Sequence, residues 1–195
     1  MMKRNNFPFS AVLGLNHAKT AILIVLVNPR AGGLLISGPR GIGKSTLMRS
    51  TQELIERPWR DIPVSVTEDR LFGTIDTEKA IYSGQKKLYP GIINEADQGV
   101  LYLDDANLLR EDLLDSILNI AEVGAYQLER DGLSLRCDTS FTVIAAINPE
   151  SGMLSGACLD QFGLFVNVDN IHDENTRVEL SLIHISEPTR QAEIS

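Results

Sequence analysis

The sequence predicts an α/β fold in which helices flank a mainly parallel sheet. Three short and largely apolar runs, residues 33–37, 100–103 and 141–147, lack polar alternation and are typical of strands buried on both faces. Segments with helical periodicity lie between these runs, and strands that alternate with helices favour parallel pairing. A glycine-rich stretch follows the first run directly and precedes a helical segment.

The elements before the second apolar run are bounded by prolines. Residues 16–27 form a predicted helix that ends before Pro29, because the residue before a proline disfavours the helical conformation. Residues 44–57 form a second predicted helix, which Pro58 ends. We expect a further strand over residues 62–66.

The middle of the chain carries two candidate insertions. Residues 71–97 are a polar stretch with several glycines and are predicted to be an insertion. Residues 111–123 have apolar side chains on one helical face. Residues 126–136 alternate around Asp131 and Gly132, a dipeptide that indicates a tight hairpin.

The composition is that of an ordinary folded domain with a modest acidic excess. Of 195 residues, 43% are hydrophobic and 23% are charged, and the formal net charge is −8. This balance excludes a disordered chain and argues against general nucleic-acid binding, which requires clustered Lys and Arg. The two cysteines, Cys137 and Cys158, do not have metal-site spacing, and a disulfide framework is excluded.

No segment of the sequence indicates membrane insertion or export. The first continuous apolar run, residues 21–27, is far shorter than the ~20 residues that a bilayer span requires. A signal peptide would need a small-residue cleavage site, which Asn28 and Pro29 do not provide. We therefore expect a cytoplasmic protein with no membrane partner.

The end of the chain, residues 181–195, continues none of these patterns. The sequence of residues 186–191 resembles translated sequencing-adapter read-through. We therefore exclude residues 181–195 from the fold prediction as a non-native tail. We expect one domain over residues 1–180 and a native protein that continues differently.

A phosphate-binding loop is predicted between the first strand and the second helix. The stretch fits the pattern G-x-x-x-x-G-K-[ST] at every fixed position, whereas the alternative is a glycine turn with no ligand. The glycines let backbone N–H groups converge on phosphate oxygens, and the helix N-terminus adds partial positive charge. We expect Lys44 to reach the β and γ phosphates and Ser45 to ligate Mg²⁺. The predicted ATP-binding residues are Gly38, Pro39, Arg40, Gly41, Ile42, Gly43, Lys44, Ser45 and Thr46.

Two further strand ends carry candidate catalytic residues. A hydrolytic nucleotide site needs a carboxylate beside its metal, and Asp104 follows the second apolar run directly. The alternative for Asp104 and Asp105 is a solvated strand end. Asn148 follows the third run, where its amide could polarise the attacking water, but Asn-Pro also commonly starts a turn. The residues alone leave both interpretations of Asn148 open.

Together these residues resemble the AAA+ ATPases of the magnesium chelatase I/D type. The resemblance extends from residue 7 to about residue 180. The most specific sequence motifs occur in the same order as in the family. They cover residues 9–14, 28–33, 67–74, 99–109, 129–134, 148–150 and 159–164.

The resemblance implies a P-loop AAA+ core that assembles into a homo- or hetero-oligomeric ring, expected to be a hexamer. It implies that Lys44, Ser45 and Asp104 hold Mg-ATP and that Asn148 acts as sensor 1. The hairpin over 126–136 corresponds to the pre-sensor-1 insertion and residues 71–97 to the helix-2 insertion, and both are expected to be remodelling or partner surfaces. The expected partners are chelatase or chelatase-like subunits. The family's C-terminal helical lid is expected to lie beyond this chain.

Three positions depart from the family pattern. Asp105 stands where a glutamate is usual, so the candidate base is one methylene shorter, and reach is essential for proton transfer. Gln161 replaces an arginine that acts across the subunit interface, and a neutral amide cannot neutralise transition-state charge. Leu15 replaces a glutamine near the nucleotide base. The segment 56–67 is also short, which brings the chain closer to D-type or orphan members.

Two functions follow as hypotheses. The first is a motor subunit that hydrolyses Mg-ATP and couples turnover to metal insertion or partner remodelling. The second is a structural subunit of a mixed ring that binds ATP and hydrolyses little. The intact phosphate loop favours ATP binding under both, whereas Asp105 and Gln161 favour the second. The first hypothesis still holds if another subunit donates the missing arginine.

Overall fold

The structure is a computed structural model that describes residues 8–12, 14–75, 88–130 and 132–168. Residues 169–180 of the predicted domain and the tail 181–195 lie outside the described residues. In chain order the strands are β1 (Leu34–Ser37), β2 (Trp59–Ile62), β3 (Gly73–Ile75), β4 (Leu88–Pro90), β5 (Val100–Leu103), β6 (Ala125–Arg130), β7 (Leu133–Asp138), β8 (Thr142–Ile147) and β9 (Leu164–Asn167). The α-helices are α1 (Asn16–Val27), α2 (Lys44–Gln52), α3 (Glu68–Phe72), α4 (Ile92–Glu95), α5 (Glu111–Val123) and α6 (Gly156–Asp160). Single 3₁₀ turns occupy Phe9–Ala11, Pro29–Ala31, Ala106–Leu108 and Pro149–Ser151.

A five-stranded sheet with the order β2-β5-β8-β1-β9 organises the chain. Every neighbouring pair in it is parallel. The three predicted apolar runs are the central strands β5, β8 and β1, and every residue in them is buried. The predicted α/β class with a mainly parallel sheet is confirmed.

Helices cover both faces of this sheet. Successive side chains of a strand point to opposite faces, so each central strand contributes to two cores. Leu35 packs in the cluster that contains Ile117 of α5, whereas Ile36 packs in the cluster that contains Ile22 of α1. Tyr102 of β5 lies on the second face, which α1 and α2 cover. None of the helices in the described ranges has the length and apolarity needed to cross a bilayer.

Two predicted helices have the expected limits, and one is shorter. Helices α1 and α5 begin and end at the predicted residues. Helix α2 ends at Gln52, so the prediction of a helix through residue 57 is wrong. Residues 52–54 are exposed and give the helix no apolar face to bury. The Leu54 N–H donates instead to the Thr51 carbonyl at 2.9 Å, in a turn.

The second strand lies before its predicted position. We expected it over residues 62–66, but β2 ends at Ile62 and pairs in parallel with β5. Pro63 has no N–H for a sheet hydrogen bond, and its carbonyl accepts the Val66 N–H at 3.0 Å in a turn. Because β2 is an edge strand with two exposed charged residues at its centre, it has no continuous apolar run.

The opposite edge strand, β9, has no counterpart among the sequence predictions. It pairs with β1 and alternates between half-buried and exposed side chains, with Phe165 55% exposed. Gly163 lets the chain enter the sheet, because a Cβ there would lie 1.7 Å from the Ala31 carbonyl oxygen. The Gly163 N–H donates to the Gly32 carbonyl at 2.9 Å. Close backbone contacts with residues 31 and 32 therefore fix the start of this strand.

Both candidate insertions contain regular structure. Strands β6 and β7 pair antiparallel from Ala125↔Asp138 to Arg130↔Leu133, which confirms the hairpin predicted over residues 126–136. The polar stretch 71–97 contains the end of α3, the antiparallel pair of β3 and β4, and α4. Residues 76–87 of that stretch lie outside the described residues.

Candidate functional site

The predicted phosphate loop connects β1 to α2 and lies at the carboxyl end of the sheet. Gly43 immediately precedes the helix with φ +91°, a left-handed conformation that favours glycine. At Gly38 a Cβ would lie 2.4 Å from the Val168 carbonyl oxygen, so only glycine fits there. The first and last glycines of the loop are therefore required or favoured by its conformation. Its backbone N–H groups precede the positive end of a nine-residue helix.

Lys44 lies within the concave side of this loop. Its side chain is only 8% exposed, and its ammonium donates to the carbonyl oxygens of Gly38 and, at 2.8 Å, Pro39. Burial lowers the pKa of Lys44 below its usual range, against the opposing effect of the Asp105 and Asp104 carboxylates. The loop thus holds one cation whose present partners are neutral carbonyls, which a phosphate oxygen could replace.

Ser45 and Asp104 meet although 59 residues separate them in the sequence. The Ser45 hydroxyl donates to Asp104 Oδ2 at 3.1 Å, because α2 starts and β5 ends at the same edge of the parallel sheet. A hydroxyl that donates its proton keeps its oxygen lone pairs, so Ser45 can still ligate a cation. A hydroxyl and a carboxylate form the all-oxygen donor set that suits Mg²⁺. These two residues therefore fit the predicted metal site.

Tyr102 is a site residue that the sequence analysis did not identify. Its hydroxyl donates to the other oxygen of Asp104, Oδ1, at 3.0 Å. Burial, together with the Asp104 carboxylate, raises the pKa of Tyr102 far above its usual range. Within an apolar run a tyrosine is indistinguishable from a core residue, and only its spacing of two from Asp104 indicates that both face one side.

A cavity of ≈270 Å³ opens beside this network. Ser45, Asp104, Tyr102 and Asp61 contribute to its lining. A larger groove of ≈740 Å³ lies between α5 and β6 and shares no residue with the phosphate loop. The chemistry of the hydroxyl and carboxylate groups, not the size of the groove, therefore locates the candidate site.

Asp105 faces the phosphate loop from the end of β5. Its Oδ2 lies 3.6 Å from Nη2 of Arg40, whose side chain is 67% exposed. The Asp105 backbone is left-handed, with φ 49°, an uncommon conformation that aspartate tolerates better than most residues. The ion pair brings the predicted base close to the loop, and an exposed pair of this kind contributes only about 0–1 kcal/mol.

The Asn148 amide has its hydrogen bonds inside its own turn. Its Oδ1 accepts the Glu150 N–H at 3.2 Å, and its Nδ2 donates to Ser151 Oγ at 3.2 Å. Its side chain is 2% exposed. This geometry is that of the turn interpretation, and the sensor role stays a prediction.

Asn107 links the two loops that follow β5 and β8. Its Nδ2 donates to the carbonyls of Asn148 at 3.2 Å and Gly152 at 3.0 Å. Within the part of the chain that the structure describes, its buried Oδ1 has no hydrogen-bond partner. The sequence analysis did not identify this link, because nothing in a local motif indicates a contact across 41 residues.

The remaining predicted positions lie around the loop or away from it. Thr46 is exposed in the first turn of α2. Leu15 lies under the loop, since its Cδ1 would be 3.9 Å from a Cβ at Gly43. Gln161 is exposed at the end of α6 and donates to the Ala157 carbonyl at 3.4 Å. No described contact joins Gln161 to the phosphate loop of its own chain.

A phosphate loop that faces a strand-end carboxylate defines a nucleotide-binding domain of the P-loop class. The family profile for the AAA domain of the dynein-related subfamily matches residues 33–161, and the chain belongs to this family.

Within that class the chain is similar to subunits of magnesium chelatase. It is 37% identical to the magnesium-chelatase 38 kDa subunit of Cereibacter sphaeroides, over 89% of this chain and 62% of the relative. It is 33% identical to the magnesium-chelatase subunit ChlI homolog of Methanocaldococcus jannaschii, over 92% of this chain and 60% of the relative. The chain thus spans about three fifths of the length of these relatives.

A solved structure has the same fold. It is a cryo-EM-based structure of the complex between subunits BchI and BchD of magnesium chelatase, and one of its chains superposes with a TM-score of 0.78. The sequence identity is 35%, over 97% of this chain and 68% of that chain. The resemblance to the magnesium chelatase type, predicted from the sequence phrases, is confirmed.

The cap made by Asn148 gives a first testable prediction. Asn148→Ala removes both hydrogen bonds of the amide and should lower the free energy of unfolding in urea by about 1–2 kcal/mol. Asn119→Ala, at an exposed position of α5, is the control and should change it by less than about 0.5 kcal/mol. Equal, small changes in both variants would contradict the capping role and leave the amide free for the nucleotide.

Proposed function

We propose that this chain is the nucleotide-binding core, over residues 1–180, of a Mg-ATP-hydrolysing motor subunit of the magnesium chelatase type. The observation that carries the proposal is the hydrogen bond from Ser45 to Asp104, which joins the phosphate loop's helix to the strand-end carboxylate at 3.1 Å. The similarity to relatives that are magnesium-chelatase subunits supports the same function.

Each residue of the loop has a defined role in this proposal. The backbone N–H groups over 38–43 and the ammonium of Lys44 bind the phosphates, and Lys44 exchanges the Gly38 and Pro39 carbonyls for phosphate oxygens. Ser45 and Asp104 hold Mg²⁺, which supplies positive charge against the phosphate oxygens.

Asp105 is the residue that we propose as the base for the lytic water. It already faces the loop, but its carboxylate is paired with Arg40 at 3.6 Å. Because both groups are partly exposed, the pair is weak enough to exchange when a nucleotide occupies the loop. Its shorter side chain reduces its reach relative to a glutamate, and we propose that this attenuates hydrolysis.

We propose that a cation for the transition state comes from another chain. Gln161 is neutral, and its amide lies at the end of α6 with a contact to its own helix. We therefore propose that the chain works in a ring, expected to be a hexamer, in which a neighbouring or D-type subunit supplies an arginine. The similarity to a chain from the BchI–BchD complex supports such an assembly.

The alternative is an ATP-binding structural subunit of a mixed ring that hydrolyses little. It rests on Asp105 and Gln161 alone, and the two functions differ in turnover rather than in ATP binding. We propose the motor as the main function, because the phosphate loop and the contact between Ser45 and Asp104 provide the arrangement that Mg-ATP hydrolysis needs.

Lys44 gives the test of ATP binding. With ATP at about 100 times its Kd, the melting temperature of the wild-type chain should rise by about 5–10 °C, because ligand that binds only the folded state stabilises it. Lys44→Ala should abolish this rise. Arg136→Ala, which removes an exposed cation from the hairpin, is the matched control and should keep it. No ATP-dependent shift in any of the three proteins would refute the site assignment.

Gln161 gives the test of the missing cation. Gln161→Arg should raise ATP turnover per subunit in the assembled protein by about tenfold or more, because an arginine at a phosphoryl-transfer site has a large effect on rate. Gln127→Arg adds the same charge on the exposed side of the hairpin and should leave turnover unchanged. Equal rates in both variants would mean that this position does not limit hydrolysis.

A further inference from the structure

A buried phenol hydroxyl holds the oxygen of Asp104 that Ser45 does not contact. The Tyr102 hydroxyl donates to Oδ1 at 3.0 Å, and the Ser45 hydroxyl donates to Oδ2 at 3.1 Å. Two donors on the two oxygens fix the plane of the carboxylate as well as its position. Asp104 is therefore oriented before any cation binds.

Tyr102 is itself held rigidly. Its side chain is 5% exposed, and its ring lies 5.9 Å from the ring of Trp59 between centroids. Its backbone is paired on both sides, with Asp61 of β2 and Ile144 of β8. Because Tyr102 and Asp104 are two residues apart along one strand direction, their side chains project to the same side. The hydroxyl therefore has little freedom to leave the carboxylate.

The half-buried Tyr126 shows that a tyrosine hydroxyl in this fold does not need a carboxylate partner. Tyr126 satisfies its hydroxyl with the Phe72 carbonyl and Asn94 Oδ1, each at 2.7 Å. Neutral partners of this kind are sufficient for a structural tyrosine. Tyr102 instead donates to the one carboxylate that faces Ser45. Its hydrogen bond thus belongs to the candidate metal site rather than to the general core.

We propose that Tyr102 is a positioning residue that sets the affinity of the site for Mg²⁺ by orienting Asp104. The inference rests on the proposed Mg-ATP function and adds to it a residue that does not touch the metal. Removing a residue that hydrogen-bonds to a metal ligand, and so orients it, typically weakens metal affinity 10–100-fold. Nucleotide binding without metal should not depend on Tyr102, because no described contact joins it to Lys44 or to the loop backbone.

The test uses the full-length native chain and a non-hydrolysable ATP analogue. Tyr102→Phe removes only the hydroxyl and keeps the ring against Trp59, the single tryptophan of the sequence. Calorimetry in EDTA gives the analogue affinity without metal, and a Mg²⁺ titration of the saturated protein gives the metal midpoint. Tyr126→Phe is the matched control, since it removes a half-buried hydroxyl that does not line the cavity beside Ser45 and Asp104.

We expect Tyr102→Phe to raise the Mg²⁺ midpoint about tenfold and to leave the metal-free affinity within about twofold of the wild type. Tyr126→Phe should change neither. In an Asp104→Ala background, Tyr102→Phe should have no further effect on the midpoint, an outcome that a merely structural role would not produce. The retained metal-free affinity also serves as the check that the variant is folded.

Two results would overturn the inference in distinguishable ways. An unchanged Mg²⁺ midpoint in Tyr102→Phe, in protein that binds the analogue normally, would refute the positioning role and leave the proposed function intact. A wild-type chain that binds no analogue with or without Mg²⁺ would refute both.

Discussion

The hydrogen bond between Ser45 and Asp104 is the contact on which the account of this molecule depends. It joins the first turn of α2 to the residue that follows β5. In the sheet, β8 lies between β5 and β1, the strand that precedes α2. The parallel direction of β1 and β5 brings the carboxyl ends of both strands, and therefore the start of α2, to the same edge of the sheet. The sheet order, the excluded side chain at Gly38 and the burial of Tyr102 all serve to keep this edge in place.

The site is preorganised on one side and adaptable on the other. The Asp104 carboxylate is held at both oxygens by buried or half-buried hydroxyls. Lys44 and Arg40, in contrast, have partners that the proposed nucleotide would replace. These partners are loop carbonyls for Lys44 and the partly exposed Asp105 for Arg40. The rigid half suits metal binding, and the exchangeable half suits a ligand that arrives with several negative charges.

Sequence reasoning succeeded where local signals determine structure. The central strands have continuous apolar runs, α1 has helix-forming residues that a proline ends, and α5 has clear periodicity, so the limits of these elements were predictable. The position of the edge strand β2 was predicted wrongly because Arg60 and Asp61 interrupt its apolar pattern. Strand β9 was not predicted because it has no continuous apolar run. The spacing within the phosphate loop identified Lys44 and Ser45, whereas Tyr102 and Asn107 act through contacts that no local pattern encodes.

The most direct test of the central claim is Mg-ATP hydrolysis per subunit as a function of protein concentration, with the native full-length chain. A site that needs a neighbour's cation should turn over faster per subunit as the chains assemble, so the account predicts a rate that climbs with concentration and then levels off. ATP binding without turnover at any concentration would contradict the motor function and favour the structural subunit. A constant rate per subunit at all concentrations would contradict the shared site.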